Sequence, residues 1–265
     1  MAATFDLTNF VINRPLRGLM VSKTDNSVLW SINQITNPSL SVTTESTDAV
    51  DALGAKIMSF DRAKNAEFSA ENSLFDLGLA AAQAGSEKEI ATAEKKIVVP
   101  IFDEIEVTSA DTVTLKHTPT QQITVMYALN GDSTLGKKFT NGAEASADNF
   151  VHTAEGNTIK VPTGLETGTR LFVMYEYESE SAVAVHNDAV NFPKTGIFYL
   201  EVLGADICDP DKLIHAYIKF ENAKLVADVD MTFTTEGTHN FKIEAMQNYC
   251  NKNKRLFSII VPDEE

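Results

Sequence analysis

The feature that most constrains this chain is alternation of apolar and polar residues at every second position. That spacing sends one side of a strand into a core and leaves the other wet. From Leu225 to Phe233, the odd positions Leu225, Ala227, Val229, Met231 and Phe233 are apolar, while Asp228, Asp230 and Thr232 are polar. Phe241, Ile243 and Ala245 alternate with Lys242 and Glu244 in the same way, and Glu236-Gly237-Thr238 between the two runs holds a glycine suited to positive φ. Together these runs predict a β-hairpin. Val28, Trp30 and Ile32 share one side of an earlier strand, Asn37-Pro38 bends the chain, and Leu40 and Val42 then alternate with Ser39, Ser41 and Thr43. Leu171 to Tyr177 is rich in β-branched and aromatic residues, with Glu176 and Glu178 opposing Tyr175 and Tyr177. Leu256 to Val261, closed by Pro262, predicts a final buried strand.

One segment departs from this period. Ser73 to Ala84 places Leu74, Leu77 and Ala81 at helical spacing in an alanine-rich run closed by Gly85. It predicts a helix over about 73–84, capped by Asn72 or Ser73. A weaker helical stretch is expected from Pro210 to Tyr217.

The chain also reads as interrupted. After a charged bridge, Ser86 to Lys96, Ile97-Val98-Val99-Pro100 resumes the strands. Between about Glu104 and Ser181, short strands are punctuated by Asn130-Gly131-Asp132, Asn141-Gly142, Glu155-Gly156-Asn157 and Thr163-Gly164. Strands at this spacing make a small β-sandwich of the immunoglobulin-like kind, or else extend the main sheet. The expected fold class is therefore mainly β: a sandwich- or barrel-like scaffold with one flanking α-helix, formed by residues 1–100 and 186–265. An immunoglobulin-like β-sandwich lobe is inserted over 101–185.

Charge narrows the partners. Lys and Arg total 22 against 37 Asp and Glu, a formal net charge of −15. Such a surface repels nucleic acid and anionic membranes, while it suits a passage through which DNA slides without sticking; on composition alone the acidity equally serves solubility. No run approaches the roughly 18 to 20 apolar residues of a membrane span. The start, Met1 to Asp6, lacks a basic flank followed by an apolar core, so no export signal is expected there. Cys208 and Cys250 belong to no C-x-x-C or Cys/His pattern and are expected as reduced thiols in or near the core.

Catalytic chemistry leaves no matching pattern. The chain has no G-x-S-x-G elbow, P-loop or G-x-G-x-x-G after a strand. His117, His152, His186, His215 and His239 stand singly, as surface or satisfied residues rather than ligands. Asp206, Asp209 and Asp211 lack the glycine and terminal glutamate of a calcium loop, and Pro210 reads as a turn before a helix. Asp228 and Asp230 read as a solvated strand face. Lys252, Lys254 and Arg255 form the densest basic patch, without interleaved aromatics, and read as a solvated turn. No enzyme, cofactor or metal is expected.

Segment order carries the remaining information. An N-terminal stretch feeds Val28-Leu-Trp-Ser-Ile32. Pro38 to Glu45 then leads into a polar loop, Ser46 to Gly54, and a strand around Ala55 to Phe60. In Glu67 to Leu77 a strand enters the helix, and Ala216 to Leu225 precedes the hairpin and closing strand. Over roughly residues 10–85 and 186–262, this order resembles the tail tube (major tail) proteins of long-tailed phages.

The resemblance implies a virion structural subunit, made in the host cytoplasm, that pairs strands with copies of itself in rings, commonly hexameric. Such rings stack into a tube, contact other tail proteins and pass DNA without holding it. It also implies a long loop or terminal arm reaching the next ring. The candidates are the N-terminal arm Ala2 to Pro15 and the loop carrying Glu45, Asp48, Asp51 and Gly54. Asp228, Asp230 and Glu244 are candidate lumen residues, since carboxylates on the wall lower friction with phosphate. A head decoration protein with an immunoglobulin-like domain and a carbohydrate-binding adhesion module are the alternative readings. Exposed aromatics on the lobe, such as Tyr127 or Tyr177, would serve the latter.

Overall fold

The computed structural model describes residues 7–108, 111–154, 156–235, 237–248 and 254–263. The chain forms two compact units: one from the described residues within Met1–Lys88 and Val185–Glu265, the other within Glu89–Ala184. The first unit opens with β1 (Phe10–Val21), β2 (Val28–Ile32), β3 (Ile35–Val50), β4 (Lys56–Asn72) and α1 (Leu77–Gln83). The second holds β5 (Glu89–Ile90), β6 (Ile97–Glu106), β7 (Thr112–Thr114), β8 (Val125–Leu129) and β9 (Leu135–Asn141). It continues with β10 (Asn149–His152), β11 (Thr158–Lys160), β12 (Arg170–Ser179) and β13 (Val183–Ala184). The chain then completes the first unit with β14 (Thr195–Asp206), β15 (Asp209–Leu225), β16 (His239–Ala245) and β17 (Ser258–Ile260). The fold is mainly β with one described helix, and that helix is far too short to cross a membrane.

The first unit is a sheet in the order β2-β1-β14-β15-β16-β4-β3, with β17 added beside β15, curled as a half-barrel. Alternation supplies its core. Phe198, Leu200 and Val202 of β14 point inward with Ile214, Ala216, Ile218 and Phe220 of β15. Trp30 sits 5.7 Å from both Phe198 and Phe241, and Phe68 lies 5.6 Å from Phe198, so rings from four strands meet. Fully burying one such ring stabilises the unit by about 1.5–3 kcal/mol. In the second unit, β6-β12-β8-β9-β10-β11-β7 form one hydrogen-bonded path. Its inward residues, including Met126, Phe139, Phe150, Ile159, Leu171 and Val173, build a separate core.

Several local expectations are corrected. Leu225 to Phe233 does not form a hairpin strand: β15 ends at Leu225, and only Met231 bridges back, to His239. The apolar members of that run find no core to cover: Ala227 is exposed and Phe233 is 80% exposed, so the alternation has no buried face to hold it in the sheet. Pro210 to Tyr217 is strand rather than helix, and Asp206 and Asp209 flank a two-residue turn, Ile207-Cys208, with the Asp206 carboxylate accepting from Cys208 N. Cys208 is therefore exposed on a turn and not in the core. Cys250 lies outside the described residues.

The helix begins at Leu77, later than expected. Asn72 still belongs to β4, Ser73 N donates to Gln34 O, and Asp76 is the cap, its carboxylate accepting from Leu79 N at 2.7 Å. Gly85, at φ 69°, closes it as expected, with Ser86 N donating to Ala81 O. The bend at Asn37-Pro38 is a bulge inside one continuous strand, with the register slipping between Thr36 and Ser39. The final strand exists but is short, and Ile259 and Ile260 are exposed rather than buried.

Candidate assembly surface

The most exposed ordered element is the hairpin of β3 and β4. Beyond Leu40 and before Ala66 every residue of both strands is exposed, so this ribbon stands clear of the core on both faces. Ser41 to Val50 spans about 33 Å at the strand rise. The segment expected as a polar loop, Ser46 to Gly54, is thus mostly strand, with the turn confined to the residues around Asp51-Ala52-Leu53-Gly54. Asp51 organises that turn. Its carboxylate accepts from Leu53 N at 2.9 Å and Ala55 N at 2.8 Å, its backbone N donates to Ala55 O, and Gly54 takes φ 85°. Leu53 projects from the tip at 94% exposure.

The ribbon is two-sided. Thr47 pairs with Phe60 and Ala49 with Met58, which places these four residues on one face. Asp48 pairs with Ser59 and Ser46 with Asp61 on the other. On that polar face Asp48 accepts from Ser59 Oγ at 2.6 Å and lies 2.8 Å from Lys56 Nζ; the lysine and then the serine hold its carboxyl below the ordinary value. Phe60 and Met58 are 54% and 53% exposed. A lone two-stranded ribbon is marginal in water, and a long edge with apolar side chains is a surface made for pairing. Glu45, Asp48, Asp51 and Gly54 all fall on this element, Glu45 beside the register slip at Glu45/Ser46.

Of the N-terminal arm, residues 2–6 lie outside the described residues, whereas Phe10 to Pro15 belong to β1 and pair with Val202 to Asp206 of β14. That half is sheet and not a free arm. The far ends of the half-barrel sheet are β2 and β3, and among the described residues Asp209 to Ala216 of β15 pair only with β14. These are open backbone edges.

The acidic candidates separate. Asp228 and Asp230 are exposed but sit in the connection between β15 and β16, not on a strand face. Glu244 is exposed on β16, opposite Lys224 and Glu67. Lys242 lies 2.7 Å from Glu67; that hydrogen bond, with the Glu244 and Asp228 charges nearby, raises the lysine above its usual value. Lys242 thus gathers Glu67, Glu244 and Asp228, while nothing ties Asp230 to the group. The same outer sheet face carries the Glu201–His215 contact at 2.9 Å and Lys219 beside Glu221 at 4.0 Å. It is mixed in sign, with acid in excess around β16.

Sequence reasoning missed the polar cluster beneath α1. His239 is fully buried, stacks on Phe75 at 5.2 Å, and its Nε2–H donates to Gln83 Oε1 at 2.7 Å. Gln83 Nε2 in turn donates to Asn240 O, which fixes the amide orientation. Burial holds the His239 pKa below its ordinary value despite the opposing Asp76 charge. His239 Nδ1 is buried without a hydrogen-bond partner among the described residues, whereas His152, also buried, uses both ring nitrogens, accepting from Ile123 N at Nδ1 and donating from Nε2 to Gly156 O. Both are structural histidines, and only their place on strand ends hinted at it.

The model of the YomU/Tube protein family matches residues 11–259, nearly the whole chain. No curated protein matches it.

Proposed function

The chain belongs to the YomU/Tube protein family, a phage tail tube family, and from that membership we propose that it assembles with copies of itself into stacked rings that form a tube for DNA passage. The observation that carries the reading is the β3–β4 ribbon: eight residue pairs, Thr43–Asn65 to Val50–Lys56, reach past the core with an apolar face open to solvent. Monomers seldom keep such an element, because exposed strand pairs aggregate unless another surface covers them. In this reading the ribbon, with Glu45, Asp48, Asp51 and Gly54, lies against the adjoining ring. The open edges at β2, β3 and the first half of β15 pair between neighbours within a ring, commonly of six.

The lumen assignment rests on charge. Asp228 and Glu244, gathered about Lys242, together with Asp230, supply carboxylates that keep phosphate from adhering. A structural role in the tail, alongside other tail proteins, follows from the family; catalysis is not part of this reading. The two units are proposed as a scaffold interrupted by an inserted lobe over about residues 101–185.

Negative-stain imaging of the purified chain tests the proposal. Hollow tubes of stacked rings are expected, and deletion of residues 46–54 should leave soluble subunits that form none. Normal tubes from the deletion would remove the ribbon assignment, and the absence of any tube from the intact chain over a wide concentration range would remove the self-assembly reading.

A further inference from the structure

The second unit carries a surface that its own folding does not require. On β12 the core side is filled by Leu171, Val173 and Tyr175, all buried. The opposite side should then be polar, as Lys138 and Thr140 are on β9. Instead it holds Phe172 and Met174, with Phe102 beside them on β6 and Tyr127 directly opposite Phe172 on β8. Phe102 is 66% exposed and Met174 56%. The rings of Phe102 and Phe172 lie 6.1 Å apart and within 14° of parallel, a stacked pair at the surface. With Tyr127 the row crosses three adjacent strands, about 10 Å at the spacing of paired strands.

This row runs into a cleft of about 420 Å³, lined by Phe172, Met174 and Tyr127 together with Gln121, Thr124 and Glu176. We infer that the cleft and its aromatic row bind a neutral oligosaccharide, a linear chain of pyranose rings. Pyranoses offer a flat C–H face and a rim of hydroxyls. Flat aromatic side chains take the first, while amide, hydroxyl and carboxylate groups take the second. Gln121, Thr124 and Glu176, which line the cleft, supply those three group types. Single-stranded nucleic acid also stacks on aromatic rows, but it needs a basic groove. Here the row is bordered by Glu104, already paired with Arg170, by Glu176 and by Lys138 opposite Tyr127, a mixed border and not a basic groove, on a chain of net charge −15. Charge therefore selects an uncharged ligand. The inference stands on the second unit alone and does not depend on tube formation.

The test uses the full chain on an array of neutral oligosaccharides (gluco-, galacto-, manno- and N-acetylglucosamine series), followed by affinity electrophoresis in gels containing the polymers retained. Binding to at least one series is expected, and Phe102→Ala or Phe172→Ala should weaken it tenfold or more. Phe192→Ala, which removes an exposed aromatic of the other unit, should leave it unchanged. Phe102→Ala touches a side chain largely in solvent, so it remains informative if Phe172→Ala fails to fold. No retention on any series overturns the inference, as does retention equal in all variants. So does a change in sedimentation showing that Phe102→Ala breaks contact with a second copy instead.

Discussion

Replacing the two large apolar residues on the ribbon, Met58→Thr with Phe60→Thr, separates assembly from folding. Threonine keeps the strand preference, so the hairpin itself should persist. Both side chains are about half exposed in the single chain. A phenylalanine or methionine of roughly 200 Å² then leaves about 100 Å² each to bury on docking. At about 25 cal/mol per Å² that is ~2.5 kcal/mol per residue and ~5 kcal/mol for the pair, an upper value for full burial. Each 1.4 kcal/mol is about tenfold in an equilibrium constant, so the critical concentration for tube formation should rise by about three orders of magnitude. Neither side chain contributes to the core cluster, and the melting temperature of the unassembled subunit should shift by no more than a degree or two. Static light scattering across a concentration series, paired with thermal melts, reads both quantities. A critical concentration within threefold of the parent refutes the docking role of this face, and a large fall in melting temperature refutes its independence from the core.

Other expectations follow from single sites. Asp51→Ala removes the acceptor for two backbone N–H groups at the ribbon tip; amide exchange at Leu53 and Ala55 should accelerate, by a factor matching about 0.5–1.5 kcal/mol, with no change in global stability. Phe68→Ala opens a cavity among Phe198, Phe220 and Phe241 and should cost about 3–5 kcal/mol in urea titrations. His239 has a lowered folded pKa, so its neutral form is favoured in the native state; the resulting stability is complete above the ordinary value of 6.5 and erodes as pH falls below it. Urea titrations between pH 8 and pH 5 should show that slope, and His239→Phe should flatten it. An unchanged slope would place the titrating group elsewhere.

Alternation was the legible part of the fold. β16 follows it residue by residue because it has one buried face, His239, Phe241 and Ile243, with Asn240, Lys242 and Glu244 on the other. The same rule failed at Leu225 to Phe233, where the pattern is as regular but Ala227 and Phe233 meet no core. Periodicity reports what a segment is able to do, while strand formation needs a surface for the apolar face to cover. β15 was hidden for the opposite reason. Leu213, Ile214 and Tyr217 after Pro210 mimic helical spacing, and the inward set Ile214, Ala216, Ile218 and Phe220 contains a small alanine that weakens the period-2 signal. Of the ribbon, Leu40 to Thr43 and Ala55 to Phe60 read as strand, while Ser46 to Gly54 read as loop, since an arm exposed on both faces has little apolar periodicity to display. The aromatic row of the second unit depends on register between β6, β12 and β8, and no single segment contains it.

The path of the chain also dictates an order of events. β1 pairs along its length with β14, and β4 with β16, so the first unit joins strands made before the second unit to strands made after it. During synthesis the second unit, continuous in sequence, has all of its described pairing partners as soon as its last strand emerges. The strands already made for the first unit must wait with Trp30 and Phe68 uncovered. In the proposed assembly the ribbon is therefore displayed on an incomplete sheet for most of translation, while the surfaces proposed to receive it are still missing. On that reading the topology itself delays assembly until the first unit has closed.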